Sequence, residues 1–168
     1  MAVGDIKLAY GASSALTITL ASLATDASLL TGRASTEVSN TVNLFQDYLL
    51  AGMITTGTTP TTAKEIRVYV VGLMDDTLYP DVFDGTDSAE TVSGVGTRDS
   101  VCKLAAVIPT IATSNLAYYF GPVSVASLFG GTMPKKFLAF VTHSTAVNLN
   151  ATAANHAIYI TPVFSKVE

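Results

Sequence analysis

Residues Lys64–Leu73 read Lys-Glu-Ile-Arg-Val-Tyr-Val-Val-Gly-Leu. Ile66, Val68 and Val70 stand two apart, and so do Glu65, Arg67 and Tyr69. Successive side chains of an extended chain point to opposite faces, so the first set shares one face and the second set the other. No helix places the three β-branched residues on one stripe. The stretch has to be a half-buried strand, and its backbone groups need ladder partners on neighbouring segments. What the chain offers as partners decides the fold class.

It offers many. Ile6, Leu8 and Tyr10 alternate between Gly4 and Gly11, which makes residues 1–14 an arm or a first short strand. Leu16, Ile18 and Leu20 alternate with Thr17 and Thr19, predicting a strand over Ala15–Leu20. Residues 21–41 are rich in Ala, Ser and Thr, poor material for a helix, and read as a loop with a strand near Leu29–Ser35. Val42–Ile54 is a strong strand, apolar on both faces, which points to burial on both sides or to a contact between subunits. The loop Thr55–Ala63, with Gly57 and Pro60, would join it to Lys64–Leu73 as a long antiparallel hairpin. Further strands are expected over Cys102–Ile111 (ending at Pro109), Asn115–Phe120, Lys136–Thr142 and His156–Phe164. Ser124 is placed to cap one helical turn near 124–129, with Gly130 as its stop. Seven or eight strands with Gly/Pro/Asn loops predict an all-β antiparallel sandwich over residues 15–168. An acidic loop excursion at 74–99 interrupts it, carrying Asp75, Asp76, Asp81, Asp84, Asp87 and Glu90 with no basic residue before Arg98.

Composition narrows the function classes. Only 13% of the residues are charged, where a quarter is usual, and Thr, Ser and Asn supply the polarity instead. Such a surface suits a chain that lies against other protein. A net charge of −4 offers no electrostatic footprint for nucleic acid. No charged residue stands between Lys103 and Lys135, but Pro109, Gly121, Pro122, Gly130 and Gly131 break the run, so no membrane partner is expected. No basic stretch followed by an apolar core opens the chain, and a signal peptide is not expected.

Few residues invite chemistry. Cys102 is the one cysteine and is expected inside a strand as a small buried thiol. His143 and His156 stand at the two mouths of the Ser144–Asn155 loop, where a hairpin would bring them close. Two ligands make no stable metal site, and loop-end hydrogen bonding is the expected role. Asp81, Asp84 and Asp87 are three apart, whereas a calcium loop of the EF-hand type needs ligands two apart and a final Glu. Asn150-Ala-Thr is a glycosylation sequon only in a secreted eukaryotic chain. There is no Gly-x-Ser-x-Gly, phosphate-binding glycine loop or His-x-x-x-His, so no catalytic, cofactor-binding or metal residue is expected and the chain is read as not an enzyme. Tyr118, Tyr119 and Phe120 are the densest aromatic cluster. One of the adjacent tyrosines has to point away from the core, where it makes a good interface anchor.

Several stretches together resemble a family. They are Thr31-Gly-Arg-Ala-Ser-Thr36, Asn40-Thr-Val-Asn43, Tyr48–Ile54, Thr56-Gly-Thr-Thr-Pro60, Ile66–Tyr69 and Asp84-Gly-Thr-Asp87. Val125-Ala-Ser-Leu-Phe-Gly-Gly131 and Ala151-Thr-Ala-Ala-Asn-His156 complete the set. In style and order the chain resembles small tailed-bacteriophage structural proteins, among them head decoration or cement proteins with a jelly-roll sandwich. The resemblance implies a virion protein made in the bacterial host cytoplasm. It would sit on the outer surface of the head and brace neighbouring subunits of the major capsid protein. It implies no catalytic residues. A phage tail or fibre component shares the style, and a carbohydrate-binding sandwich module is the alternative from another class, though such modules often present Trp and this chain has none. The long uncharged segments Leu104–Pro134 and Phe137–Ser165 exceed what a monomer usually exposes, so a homo-oligomer, dimer or trimer, is expected, with Met1–Ser14 as the arm reaching a neighbour.

Overall fold

A computed structural model describes residues 4–167; Met1–Val3, part of the expected arm, and Glu168 lie outside the described residues. The strands are β1 (Ile6–Tyr10), β2 (Ser14–Ala15), β3 (Thr31–Ala34), β4 (Val38–Ser39), β5 (Asp47–Thr55), β6 (Lys64–Gly72), β7 (Ala89–Thr91), β8 (Lys103–Thr110), β9 (Ala117–Ser124), β10 (Lys136–His143) and β11 (Ala157–Val167). Helix α1 (Val95–Val101) precedes β8, α2 (Val125–Leu128) follows β9, and a 3-10 turn covers Ala153–Asn155. One sheet runs β1-β11-β5-β9, with β2 also on β11; the other runs β7-β3-β10-β6-β8, with β4 also on β10. All pairings are antiparallel.

Eight strands have four or more residues: β1, β3, β5, β6, β8, β9, β10 and β11. Ranked by chain position, the first sheet takes them as first, eighth, third, sixth, and the second as second, seventh, fourth, fifth. That two-sheet order is a jelly roll. The predicted antiparallel sandwich is therefore the fold, and Ile66, Val68 and Val70 are fully buried between its sheets as their alternation requires. Leu50, Ile54, Phe120, Phe137, Ala139, Val141, Ile158 and Ile160 complete the middle of this core.

The expected hairpin is not there. β5 lies between β11 and β9, and β6 lies between β10 and β8 in the other sheet. Residues 56–63 cross from sheet to sheet, anchored by Asn115 N–H to Gly57 O, Thr61 N–H to Thr145 O and a bridge between Thr56 and Leu149. Alternation specifies a strand and its buried face but not its neighbour, and this loop has the composition of a hairpin turn without its geometry. Other boundaries also move. β5 begins at Asp47, and Val42 and Leu44 stand exposed in the preceding loop. Of the expected Ala15–Leu20 strand only Ala15 lies in a paired strand, together with Ser14 before it. Leu16 and Leu20 are still buried, because this segment carries the chain from one sheet to the other while its apolar face stays inward. β8 runs past Pro109 to Thr110, and a bulge places two of its residues against one of β6: Val68 pairs Ala106, but Tyr69 pairs Leu104. The bulge takes Leu104 off the inner face and leaves it exposed. Gly52 in β5 answers a close approach, since a Cβ there would lie 2.6 Å from Ala157 O and 2.8 Å from the Phe120 ring.

The acidic excursion is more than a loop. It contains β7 and α1, against the expectation of a single helical turn in the chain. Its Tyr79, Phe83 and Val92 join Cys102, Tyr69, Val71, Leu138, Phe140 and Ala34 in a second core on the outer face of the second sheet. β10 is consequently buried on both faces from Phe137 to His143. The excursion escapes detection because its apolar residues follow no period and its Gly and Asp residues read as turns. The predicted turn after Ser124 is α2, and the Ser124 hydroxyl accepts from Ser127 N–H at 3.1 Å.

Candidate interaction surface

Each residue singled out for chemistry has a structural task. His143 is fully buried at the end of β10. Its Nε2 lies 3.0 Å from the Leu23 carbonyl, which can only accept, so Nε2 carries the proton; Nδ1 of the neutral ring and the Val147 carbonyl both lie 2.9 Å from the Thr145 hydroxyl and share its one proton. Burial pushes His143 down to about 4, against the Leu23 hydrogen bond, with the neighbouring His156 adding to the depression. His156 donates from Nε2 to Asn150 O at 2.8 Å and accepts the Thr55 N–H on Nδ1, and burial lowers it too. His143 ends β10 in one sheet and His156 directly precedes β11 of the other, each with both ring nitrogens hydrogen-bonded, so loop-end hydrogen bonding is what they do.

The carboxylates close turns and pin the excursion down. Asp84 accepts from Thr86 N–H and hydroxyl, and Asp81 from Ser93 N–H and hydroxyl. Asp87 accepts from Thr19 and receives Arg33 Nε at 2.5 Å; burial opposes its charge, but these partners outweigh it and hold the carboxyl below its ordinary range. Asp26 organises the turn before β3. Burial would raise it, yet hydrogen bonds from Ser28, Thr31 and Leu30 hold it well below the usual carboxylate range. Among the described residues no three His, Cys, Asp or Glu side chains are placed to hold a metal ion. Cys102 is not inside a strand but caps the end of α1, and burial pushes its thiol up to about 12, outweighing the nearby Arg98. Such a thiol is inert.

What the fold leaves open is surface. The outer face of the β7-β3-β10-β6-β8 sheet is largely roofed by the excursion, which holds seven of the thirteen acidic residues of the chain. The outer face of the β1-β11-β5-β9 sheet has no such roof. Register fixes what it presents. Ile6 stands opposite Val167, Leu8 opposite Ser165, Ala51 opposite Tyr159, Leu49 opposite Thr161 and Met53 opposite Tyr119. Side chains directly opposite in a ladder share a face. Tyr119 is 74% exposed, while Phe120 beside it is buried, as the alternation required of the aromatic cluster. Leu49, Ala51 and Met53 are half-buried, so the apolar outer side of β5 is not covered within the chain. Lys7 and Lys166 pair with each other at the alternate positions and so project to the other side. Of the two readings of Met1–Ser14, residues 6–10 are a strand in the chain's own sheet.

A second apolar surface lies at one end of the sandwich. Val42 (85% exposed), Leu44, Met74 and Leu78 belong to the loops before β5 and after β6. A shallow groove lined by Leu44, Met133 and Pro134 joins these loops to the one before β10, and Lys135 pairs with Asp76 across it. Sequence reasoning missed this end because Val42 and Leu44 were absorbed into the β5 strand pattern. Among the described residues no helix is long and apolar enough to cross a membrane. Set against family models, curated proteins and solved structures, the chain shows no match.

Proposed function

We propose that this protein is a virion structural subunit that decorates a bacteriophage head and braces neighbouring major capsid subunits, working as a homo-oligomer and not as an enzyme. The observation that carries this reading is a jelly roll with two separate uncovered apolar surfaces, a sheet face and a loop end. A clamp needs two kinds of contact, one to its own kind and one to the shell. Several weak shell contacts held in one assembly then add as avidity. The loop end carrying Val42, Leu44, Met74 and Leu78 is the footprint on the shell in this reading, and the acidic excursion lies toward solvent. The histidines, the thiol and most carboxylates are occupied by structural hydrogen bonds or burial, which supports a binding role over a catalytic one.

The test is localisation followed by add-back. Electron microscopy of purified particles from the source phage should place the protein outside the head, at points where capsid subunits meet. Purified protein added to heads lacking it should bind them and raise the temperature at which they release DNA. Density on the tail or fibres would replace the head reading with a tail one. Absence from particles would overturn the virion reading altogether.

A further inference from the structure

We infer that the outer face of the β1-β11-β5-β9 sheet is the self-association surface, and that its partner is a second copy of this chain packed face to face about a two-fold axis. The inference rests on the self-association part of the reading above and not on the capsid. Three observations carry it. The first is charge. Among the described residues of this sheet, the outward positions hold one ionisable acid, Asp47, and no base. Asp47 Oδ1 is engaged by the backbone N–H groups of Tyr48 and Ala126, both at 2.8 Å. A two-fold axis sets a patch against its own copy, so any free charge near the axis meets its own sign. In a chain of net charge −4 this face escapes that penalty.

The second observation is composition. Ile6, Leu8, Tyr10, Tyr119 and Tyr159 are exposed here, at 74%, 60%, 61%, 74% and 47%. Tyrosine gives large contact area at little entropic cost, and it is enriched at interfaces for that reason. The third is size. The 33 residues of this sheet's four strands, at about 3.3 Å each and about 4.8 Å between strands, cover about 520 Å² in flat projection, before the relief of the side chains standing on it is added. A standard stable interface takes about 800 Å² from each partner. Two such sheets stacked face to face at about 10 Å repeat the packing inside the sandwich itself. On the opposite sheet the excursion covers the outer side of β10 and leaves exposed apolar residues such as Leu104 and Val107 on β8, where Val107 stands opposite the charged Arg67.

The experiment is sedimentation of the full chain at tens of micromolar, beside a Leu8→Lys/Tyr119→Lys variant. Both positions are exposed, so circular dichroism and melting should be unchanged. The wild type should sediment as a dimer, and the variant as a monomer with association weakened ~100-fold or more. Hydroxyl-radical footprinting of the wild type is the second measurement and needs no variant. Met53 and Tyr119 should be protected on going from dilute to concentrated protein, while Met74, exposed at the loop end, should oxidise equally in both. A wild-type monomer or trimer would overturn the two-fold pairing, and a monomer would also remove self-association from the proposed function. A wild-type dimer that survives the double substitution, or shows no protection of Met53 and Tyr119, would overturn this face alone.

Discussion

His143 shows how one buried side chain sets a pH response. Its folded value lies below the ordinary histidine value because burial penalises the imidazolium. The unfolded chain therefore binds the proton first as pH falls. Stability is full above about pH 6.5, falls as pH drops toward about 4, and levels once both states are protonated. The shift corresponds to a loss on the order of 3 kcal/mol, with His156 contributing in the same direction. Urea titrations at pH 7.0 and 4.5 should show this fall. His143→Gln should be less stable at neutral pH and show a smaller fall; an undiminished slope would assign the pH response elsewhere. The lowered carboxylates, Asp26 and Asp87 among them, act in a separate window, losing their contribution only as pH falls below about 4. At Val68 the expectation is simpler. The side chain is fully buried among apolar neighbours, so Val68→Asp places a charge without a partner in the core. A loss on the order of 4 kcal/mol should appear in denaturant unfolding, and near-wild-type stability would contradict its position.

At the scale of elements, the excursion is the part whose importance the sequence conceals. It is held by β7 on β3, by the Arg33–Asp87 pair, and by Arg98. The Arg98 guanidinium is buried, donates to the carbonyls of Ser28 and Leu29 at 3.2 Å, pairs with Asp99 and lies 6.0 Å from the centre of the Tyr69 ring. Arg98→Ala takes the donor from the buried Leu29 carbonyl and the part-buried Ser28 carbonyl and removes a cation from an aromatic face. It should cost about 2–3 kcal/mol. Phe83→Ala empties space against Phe140, whose ring lies 5.3 Å away, and should cost about 3 kcal/mol. Both variants should become more susceptible to proteolysis within residues 74–101 than Val68→Asp does at equal global stability. Uniform cleavage along the chain would mean that the excursion does not open as a unit.

For the whole molecule the edges matter most. β1 and β2 share one side of β11, at residues 163–167 and 159–160, and together they close that edge of the sheet. Deleting residues 1–14 removes β1 and half of β2. The uncovered strand then offers unpaired N–H and C=O groups to other chains. The truncated protein should melt lower and light scattering should show aggregates larger than a dimer. Unchanged melting and mass would mean that β1 adds nothing to the sheet. The uncharged segments Leu104–Pro134 and Phe137–Ser165 find their explanation at this scale as well. Much of their apolar content fills the two cores, and a remainder that includes Leu104, Tyr119 and Tyr159 faces outward.

Alternation was legible residue by residue. It placed Ile66, Val68 and Val70 in the core, turned Tyr119 outward beside a buried Phe120, and made the class all-β. It did so because side-chain direction in a strand is a local property with a period of two. The Ser124 cap was legible for the same reason, being settled within four residues. Pairing was not. β5 and β6 are adjacent in the chain and lie in different sheets, since a strand's neighbour depends on which distant edge is left to satisfy, and no local pattern encodes that. The roof over the second sheet was equally hidden, because the cluster that gathers Tyr79, Phe83 and Val92 includes Phe140 and Leu138, more than forty residues away. The contrast between a roofed sheet and an open one follows from these long-range choices, and so only the tertiary structure decided which apolar face this chain leaves uncovered.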